Sequence, residues 1–395
     1  MTDPVQPDST DAMARFMEQA AGERKSVAIS GGGTRSGLGR PIHTDYALNT
    51  GGLTGVTLYE PAELVLSARA GTPVADVEKL LADNNQMLPF EPMDHRTIYG
   101  TNGTPSMGAL AACNISGPRR IQTGAARDSL IGVQAINGKG EQISSGGRVM
   151  KNVTGYDLVK LLAGSHGTLA ILTDVTFKLL PRPETEQTLV LHGLSVEDAV
   201  AALCEAMGTP FEVSGAAHIP GTDPRTLLRV EGFAPSVVYR LNGLTEELSA
   251  RGGEMERLSE DASRQTWSEI RDVKPLLVHP AASLWRVSLK PTETPDFLRA
   301  LNTSEASVRT LLDWSGGLAW LAFDTDLPDG GASLVRGALE GLDGHATLTL
   351  ASEDIRQNNA VFQPLASPLM QISRSLKNAF DPHGLLNPGR MYEGL

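Results

Sequence analysis

Residues 30–39 read SGGGTRSGLG, directly after the short apolar run SVAI at 26–29. Three consecutive glycines followed by Thr34 and Arg35 can close a backbone around a small anion, with unshielded main-chain N–H groups, a hydroxyl and a guanidinium. Two familiar phosphate loops do not fit. A nucleoside triphosphate loop, GxxxxGK[ST], needs a lysine to reach the outer phosphates; Gly32 and Gly37 have its spacing, but Leu38 stands at the lysine position. A dinucleotide loop, GxGxxG, opens a helix whose N-terminus faces the pyrophosphate. Gly31 and Gly33 fit its first pair, yet Ser36 replaces the third glycine, LGRPIHTDYALN has no helical period, and Glu60 before Pro61 matches the ribose-binding acid only loosely. Two readings stay open for the decapeptide alone. One is a nest of consecutive amides, in which three or four charge-assisted hydrogen bonds of about 1.5–3 kcal/mol each would anchor a pyrophosphate; the other is a Gly-rich turn between strands.

Two more small-residue stretches bear on that choice: SMGALAACNISGPRR at 106–120 and KNVTGYDLVKLLAGSHGTLAILTD at 151–174. Three separated segments of this kind, each flanked by strands, are what a fold needs to wrap an extended dinucleotide. The elements that must position them follow from periodicity. Met13, Phe16, Met17 and Ala20 predict a helix stopped at Gly22 and leading into strand SVAI. Strands are expected at Val56–Tyr59 and 63–70, then a helix with Thr72 as N-cap, Pro73 first, and Val74, Val77, Leu80 and Leu81 on one face. Residues 99–128 read as a flexible linker or as a wall laid against a ligand. IGVQAI, the NGKG turn and EQIS predict a hairpin, and 169–180 a second hairpin or a single strand.

PRPETE is the clearest domain boundary. Beyond it, strands TLVLHG, TLLRVEG, SLWRVSLK, VRTLLDW, LAWLAF and HATLTL alternate with helices at SVEDAVAALCEAM, before 250, at ASRQTWSEIRDV and at 332–342. That mixture, without a Gly-rich loop, suggests an α+β domain of ferredoxin-like type. The tail SRSLKNAFDPHGLLNPGRMYEGL reads as a helix and a compact turn, and no repeat of fixed period is visible. The 395 residues allow two or three domains. With 34 basic against 46 acidic side chains, a formal charge of −12 gives no overall attraction for nucleic acid or anionic lipid. Cys113 and Cys204 are too few for a disulfide framework or a Cys-ligated iron–sulfur cluster. An acidic, proline-broken N-terminus and no apolar run of about 18–20 residues predict a protein of the cytoplasm without a membrane span.

Taken in order, GGGT, YEP…ARAGTPVADVEKLL, SMG…SGPRR…GAARDSLIGV and KNVTGYDLVKLLAGSHGTLAILT resemble the FAD-binding domain of the vanillyl-alcohol oxidase and p-cresol methylhydroxylase (PCMH-type) superfamily. Within it, LPFEP, SGPRR, VMKNVTGYD, KLLPRP, LLDWSGG, GHATL and FDPHGLLNPGRMY are similar to the family of FAD-binding E subunits of bacterial glycolate oxidase, over nearly the whole chain. The resemblance implies an α+β fold: a PCMH-type FAD-binding domain of two α/β subdomains at 1–183, a ferredoxin-like cap at 184–364, and a segment at 365–395 returning to the first domain. It carries the FAD pyrophosphate to Gly31, Gly32, Gly33, Thr34 and Arg35. The family's TxGG signature falls on Ser106, Met107, Gly108 and Ala109, departing at Ala109. Its GxxRD element falls on Gly124, Arg127 and Asp128, and its GSxGTLGIxT element on Gly164, Ser165, Gly167, Thr168, Leu169 and Ile171, departing at Ala170.

Members with covalent flavin place a histidine just beyond the first loop, where this chain has Gly37, Leu38 and Gly39, so the resemblance implies noncovalent FAD; His43 is the nearest histidine. The metal-binding HxGDGNxH motif of related 2-hydroxy-acid oxidising subunits is absent, and no metal site is assigned. Asn387, in LNPGR, is either a contact of the flavin ring or a turn residue, and Asp381 and Lys151 are read as structural. For a substrate carboxylate the candidates are Arg229 and Arg286, which could clamp it bidentately or simply face solvent from alternating strand positions. Ala319 stands where the family has an arginine before the second tryptophan of its DWGG segment, which weakens a clamp there. The resemblance implies the FAD-binding subunit of a glycolate oxidase that takes glycolate to glyoxylate, with a related catalytic flavoprotein and an iron–sulfur subunit as partners, and leaves open peripheral attachment to a membrane through them. Two other readings stand beside it: a self-sufficient FAD-dependent 2-hydroxy-acid dehydrogenase, and a non-catalytic assembly subunit.

Overall fold

A computed structural model of the chain describes residues 4–147, 156–251, 253–301 and 306–395; Lys151 and the KNVTG run lie outside the described residues. The chain divides into two compact units. The first comprises Met1–Ser116, Gly124–Arg182 and Pro364–Leu395; the second comprises Gly117–Thr123 and Pro183–Gln363. Residues 117–123 thus leave the N-terminal domain expected from sequence and join the second unit. No described helix is long and apolar enough to cross a membrane.

The first unit opens with helix Thr10–Glu23, capped by the Ser9 hydroxyl accepting from Ala12 N and burying Met13, Met17 and Ala20 along one stripe. It ends at Arg24 in the left-handed region rather than at Gly22. Strand β1 (Val27–Ser30) pairs in parallel with β2 (Tyr46–Asn49), a four-residue strand with no periodicity of its own. Then come β3 (Val56–Glu60), β4 (Val65–Arg69) and a two-residue β5 (Gln86–Met87), followed by β6 (Leu130–Asn137), β7 (Gln142–Gly146), β8 (Ala170–Lys178) and β9 (Leu180–Pro181). Five of them make an antiparallel sheet in the order β3-β4-β8-β6-β7, and β5 pairs with β9. The run at 169–180 is therefore one long strand and a short bridge to β5, not a hairpin. The NGKG turn does close a hairpin: Asn137 Oδ1 accepts from Lys139 N and Glu141 N, and Gly140 takes φ 87°.

Thr72 is not a helix cap. Its hydroxyl accepts from Gly55 N and donates to Gly55 O, and Pro73 occupies the N-cap of helix Val74–Ala82. The small-residue wall holds the short helices Met107–Ala112 and Ala126–Ser129 in this unit. At the other end of the chain, helix Ser367–Phe380 leads to a segment that docks on β1: Val27 N donates to Leu385 O at 2.8 Å and Asn387 N to Val27 O at 3.0 Å.

The second unit is one eight-stranded antiparallel sheet built from β10 (Thr185–His192), β11 (Gly215–Ile219), β12 (Arg225–Gly232), β13 (Met255–Leu258), β14 (Ser283–Ser288), β15 (Val308–Asp313), β16 (Leu318–Phe323) and β17 (His345–Leu350). Its order is β13-β10-β12-β11-β15-β16-β14-β17. Each half winds strand, helix, two strands, helix, strand: helices Val196–Met207 and Ala234–Glu247 serve the first half, Thr294–Leu301 and Ala332–Ala338 the second. These are two ferredoxin-like windings placed edge to edge, with His218 on β11 opposite Leu312 on β15. A sequence of fixed period is not needed for such a repeat; the same alternation of apolar strand and amphipathic helix suffices, which is why inspection of residues shows none. One half packs its core around Leu189, Leu203, Leu228 and Leu241, the other around Trp285, Phe297, Leu321 and Val335.

The buried Lys377 ties the closing segment down. Its Nζ donates to Asp381 Oδ2 at 2.8 Å, Thr168 O at 2.7 Å and Leu386 O at 2.8 Å, and Asp381 Oδ2 also accepts from Leu386 N at 2.7 Å. Removing one partner strands the other charge in the interior. Lys377→Met is expected to cost about 3–5 kcal/mol in urea unfolding, and Asp381→Leu in the same chain to recover much of it. A single-variant loss under about 1 kcal/mol would contradict this account.

Candidate functional site

An open cleft of about 230 Å³ runs through the first unit. Its floor comes from β1 (Ala28–Ser30) and the loop 31–36, one wall from Ala70, Gly108, Ala109, Ala112 and Cys113, and the other from His166, Gly167, Ala170 and Leu172, with Asn387 and Arg390 from the C-terminal segment. Small side chains at these positions have particular causes. A Cβ on Gly32 would lie 1.6 Å from Thr104 O, so the loop and the 103–106 strand-like segment pack backbone to backbone, joined by Thr104 N donating to Gly32 O at 3.0 Å. A Cβ on Gly108 would lie 2.5 Å from the Ala70 methyl. Gly33 takes φ 75°, a left-handed conformation open to glycine, and turns the loop.

The lining residues include two arginines and no carboxylate. Arg35 donates from Nε to His95 Nδ1 at 3.4 Å, while its Nη1 is buried without a partner. Burial lowers the pKa of this guanidinium from its usual value. Arg390 donates from Nη1 to Leu38 O at 3.2 Å. Ser106 Oγ, on a residue 2% exposed, is also unpartnered and lies where a Cβ on Gly31 would fall, at 2.5 Å. Such unsatisfied buried donors are costly in a dry interior, and an oxyanion would satisfy them. Burial, helped by the fields of Arg390 and Arg35, depresses His166 to about 4, so its imidazole is neutral near pH 7. Burial raises the Cys113 thiol against the pull of the same arginines. Asn387 joins two walls: its Oδ1 accepts from Ile29 N at 2.8 Å and its Nδ2 donates to His166 O at 2.8 Å.

Of the residues expected from sequence, Gly31, Gly32, Gly33, Thr34, Arg35, Gly108, Ala109, Gly167 and Asn387 line this one cleft. Ser106 adjoins it through Gly31. The remainder do not line it. Gly124 (φ 81°) and Asp128 form a local turn, with Asp128 Oδ2 accepting from Ala125 N at 2.8 Å, and Arg127 is exposed. Thr168 donates to Ser165 O at 2.7 Å, Leu169 is buried, and Ile171 sits in the core opposite Ile136. In the second unit Arg229 is 1% exposed and engaged internally: with Ser214 Oγ at 3.2 Å, Ser214 O at 3.2 Å and Glu231 at 3.4 Å, beside the Trp267 ring. It is a packed structural arginine, not a free clamp. Arg286 lies apart from that network, against Trp314. Sequence reading missed His166, Cys113 and Arg390. The signals were present, in the variable position of GSHGTL, in the helix following SMG and in the residue after LNPG.

Comparison with known proteins decides the lineage. A family model described as an FAD binding domain matches residues 4–146. The chain is 33% identical over 388 residues to glycolate oxidase subunit GlcE of Escherichia coli (strain K12), covering 98% of this chain and 99% of that one. The chain belongs to the GlcE family. It is also 28% identical over 236 residues to glycolate oxidase subunit GlcD of Bacillus subtilis (strain 168), covering 58% of this chain and 47% of that one. Among solved structures, 4-ethylphenol oxidase from Gulosibacter chungangensis has the same fold, with a TM-score of 0.72 at 14% identity over 98% of this chain and 89% of that one. FAD is therefore the cofactor and the chain an FAD-linked oxidoreductase of α+β, PCMH-type fold. The cleft fits a dinucleotide chemically: amides cradled by glycines, two arginines, and two buried donors without protein partners.

Arg35→Met is expected to weaken FAD binding by about tenfold or more, the worth of a charge-assisted bond, with an unfolding midpoint unchanged or raised in flavin-free protein because a buried, half-satisfied charge is gone. Flavin fluorescence titration and thermal unfolding read the two effects separately; unchanged affinity would remove Arg35 from the site. For His166, the folded pKa of about 4 lies below the ordinary 6.5, so the unfolded chain binds more protons between those values. Stability should fall as pH drops from about 6.5 to about 4, and His166→Gln should flatten part of that slope. His218, buried and also held at about 4, and His345, also lowered by burial, add to that slope. Identical profiles for variant and parent would refute the assignment.

Proposed function

We propose that this chain is the FAD-binding subunit of a glycolate oxidase, oxidising glycolate to glyoxylate and passing the electrons through FAD to an iron–sulfur partner subunit, with a related flavoprotein as a second partner. The observation that carries the reading is end-to-end similarity to GlcE combined with a carboxylate-free, arginine-lined cleft. Loop 31–35 and Ser106 would hold the pyrophosphate: their amides, the Arg35 guanidinium and the Ser106 hydroxyl are the donors that a diphosphate accepts from. Asn387 would position the walls against the flavin ring, since it pins both Ile29 and His166.

Oxidation removes a hydride from the glycolate α-carbon and a proton from its hydroxyl, two electrons in all. Bound FAD supplies the two-electron acceptor. Neutral His166 donates or accepts a hydrogen bond in the cleft without adding charge, and the protonated Cys113 thiol there is a weak nucleophile. The loop supports noncovalent attachment, since Gly37, Leu38 and Gly39 carry no nucleophilic side chain for a flavin link. With two cysteines, the chain relies on a partner for any Cys-ligated cluster.

Acid precipitation of purified protein should release all its flavin into the supernatant; colour left in the pellet would rule out noncovalent binding. Anaerobic addition of glycolate should bleach the visible flavin absorbance, completely in the assembled complex. Sustained turnover by this chain alone with a dye acceptor would favour a self-sufficient dehydrogenase, and a colourless protein that still assembles would favour a non-catalytic subunit.

A further inference from the structure

Within the first unit, the glycine loop is shaped by a second segment, 95–104, which lies along it and meets it at four places. Thr104 N donates to Gly32 O at 3.0 Å, Thr101 Oγ1 donates to Thr34 O at 3.3 Å, and Arg35 Nε donates to His95 Nδ1 at 3.4 Å. A Cβ on Gly37 would lie 2.5 Å from the Tyr99 ring, so the far end of the loop rests on that side chain. Three of these contacts fix main chain. The one through His95 fixes a charged group.

His95 is 5% exposed and occupies the N-cap of the short helix Arg96–Tyr99. Its ring lies nearly parallel to that of Tyr99, 8° apart with centroids at 6.1 Å, so packing sets its plane. To accept from Arg35, Nδ1 must carry no hydrogen, which puts the imidazole hydrogen on Nε2 and leaves the ring neutral. The other tautomer would turn an Nδ1 hydrogen toward Met93 O at 3.3 Å and set two N–H groups against each other at Arg35. The arginine selects the first.

A neutral acceptor orients a guanidinium without cancelling its charge. Asp94 acts on Arg35 through its field alone, and its carboxylate is paired with Arg96 at 2.6 Å. Arg35 Nη1 keeps no protein partner. An anion bound at the loop would therefore meet a cation already held in place, with no ion pair of Arg35 to displace. We propose that His95 is a positioning residue for the cofactor: as a neutral acceptor it holds Arg35 by Nε and directs the guanidinium to the FAD diphosphate. The proposal rests on the reading of loop 31–35 as the diphosphate site and adds to it a residue that acts through Arg35.

The test is a double-mutant cycle on the full-length protein, stripped of flavin and titrated with FAD under flavin fluorescence. His95→Phe keeps a ring against Tyr99 and removes the acceptor; it is expected to weaken FAD binding about tenfold, the worth of one hydrogen bond to a charged group. His95→Asn, whose amide oxygen falls near the place of Nδ1, should recover most of that loss. In an Arg35→Met background His95→Phe should cost less than about twofold, because two residues acting through one contact are not additive. A loss of equal size in both backgrounds would make His95 a packing residue only and overturn the proposal, as would parent-like affinity in His95→Phe or no recovery in His95→Asn. Parent affinity in Arg35→Met would instead remove the loop reading, and the role of His95 with it. Nitrogen NMR of histidine-labelled parent, with the His95 signals identified by their loss in His95→Asn, repeats the test should His95→Phe fail to fold: hydrogen on Nε2 is expected, and hydrogen on Nδ1 would overturn the proposal.

Discussion

A single buried ammonium group organises the flavin unit. Lys377 Nζ reaches two carbonyls and a carboxylate contributed by 168, 381 and 386, so the C-terminal stretch and the remote turn at 168 share one charge. Its pKa is lowered by burial and held up by Asp381. This arrangement is what lets Leu385 and Asn387 lie along β1, and Asn387 then reaches both Ile29 and His166. The cleft walls are thus coupled through the C-terminal segment: the first strand and the GSHGTL turn are not in register by their own pairing but through an amide held in place by a lysine. A buried ion pair is weak as a source of net stability and strong as a device that fixes which segments meet.

Charge in this protein has to be read at two distances. A formal −12 describes the far field and argues against polyanions, which are drawn in over a Debye length. The cleft is a near-field problem. Two arginines, no carboxylate and unpaired donors on Arg35 and Ser106 favour an anion within a few ångströms whatever the rest of the surface carries. An acidic protein can therefore hold a diphosphate, and the acidic surface discourages larger polyanions from the same donors.

The sequence made the loop at 31–35, the wall at 108–109 and Gly167 legible because close backbone approach leaves a compositional mark. It did not say why each glycine is there. Gly32 is required by the carbonyl of Thr104, a contact between chain segments that no local pattern encodes, whereas Gly33 is required by its own φ. Gly124 and Asp128 carry the same family-like spacing yet form a self-contained turn, so the spacing alone could not separate a ligand contact from a capping role. Strand β2 escaped notice because four residues of mixed character become a strand only beside β1. Thr72 looked like a cap for the same reason in reverse: its hydroxyl had a better tertiary partner in Gly55. The doubled ferredoxin-like winding left no residue period, since each half needs only comparable apolar alternation.

Arg229 and Arg286 show where residue-level reading has to give way to an inventory of partners. Both sit on interior strands of the same sheet, at positions whose neighbours point into apolar cores. On β12, Leu228 and Val230 face one core while Arg229 turns toward Trp267 of helix Glu260–Arg271, with Ser214 before β11 and Glu231 of β12 as its polar partners. On β14, Trp285 and Val287 face the other core while Arg286 turns toward an indole and a second arginine. The first guanidinium has every requirement of a buried charge met inside the protein, and removing it would cost folding energy. The second lies against an aromatic ring, with the like charge of Arg120 and the field of Asp313 acting on it in opposite senses. Identical residues in equivalent-looking strands thus differ in environment because different elements pack against them.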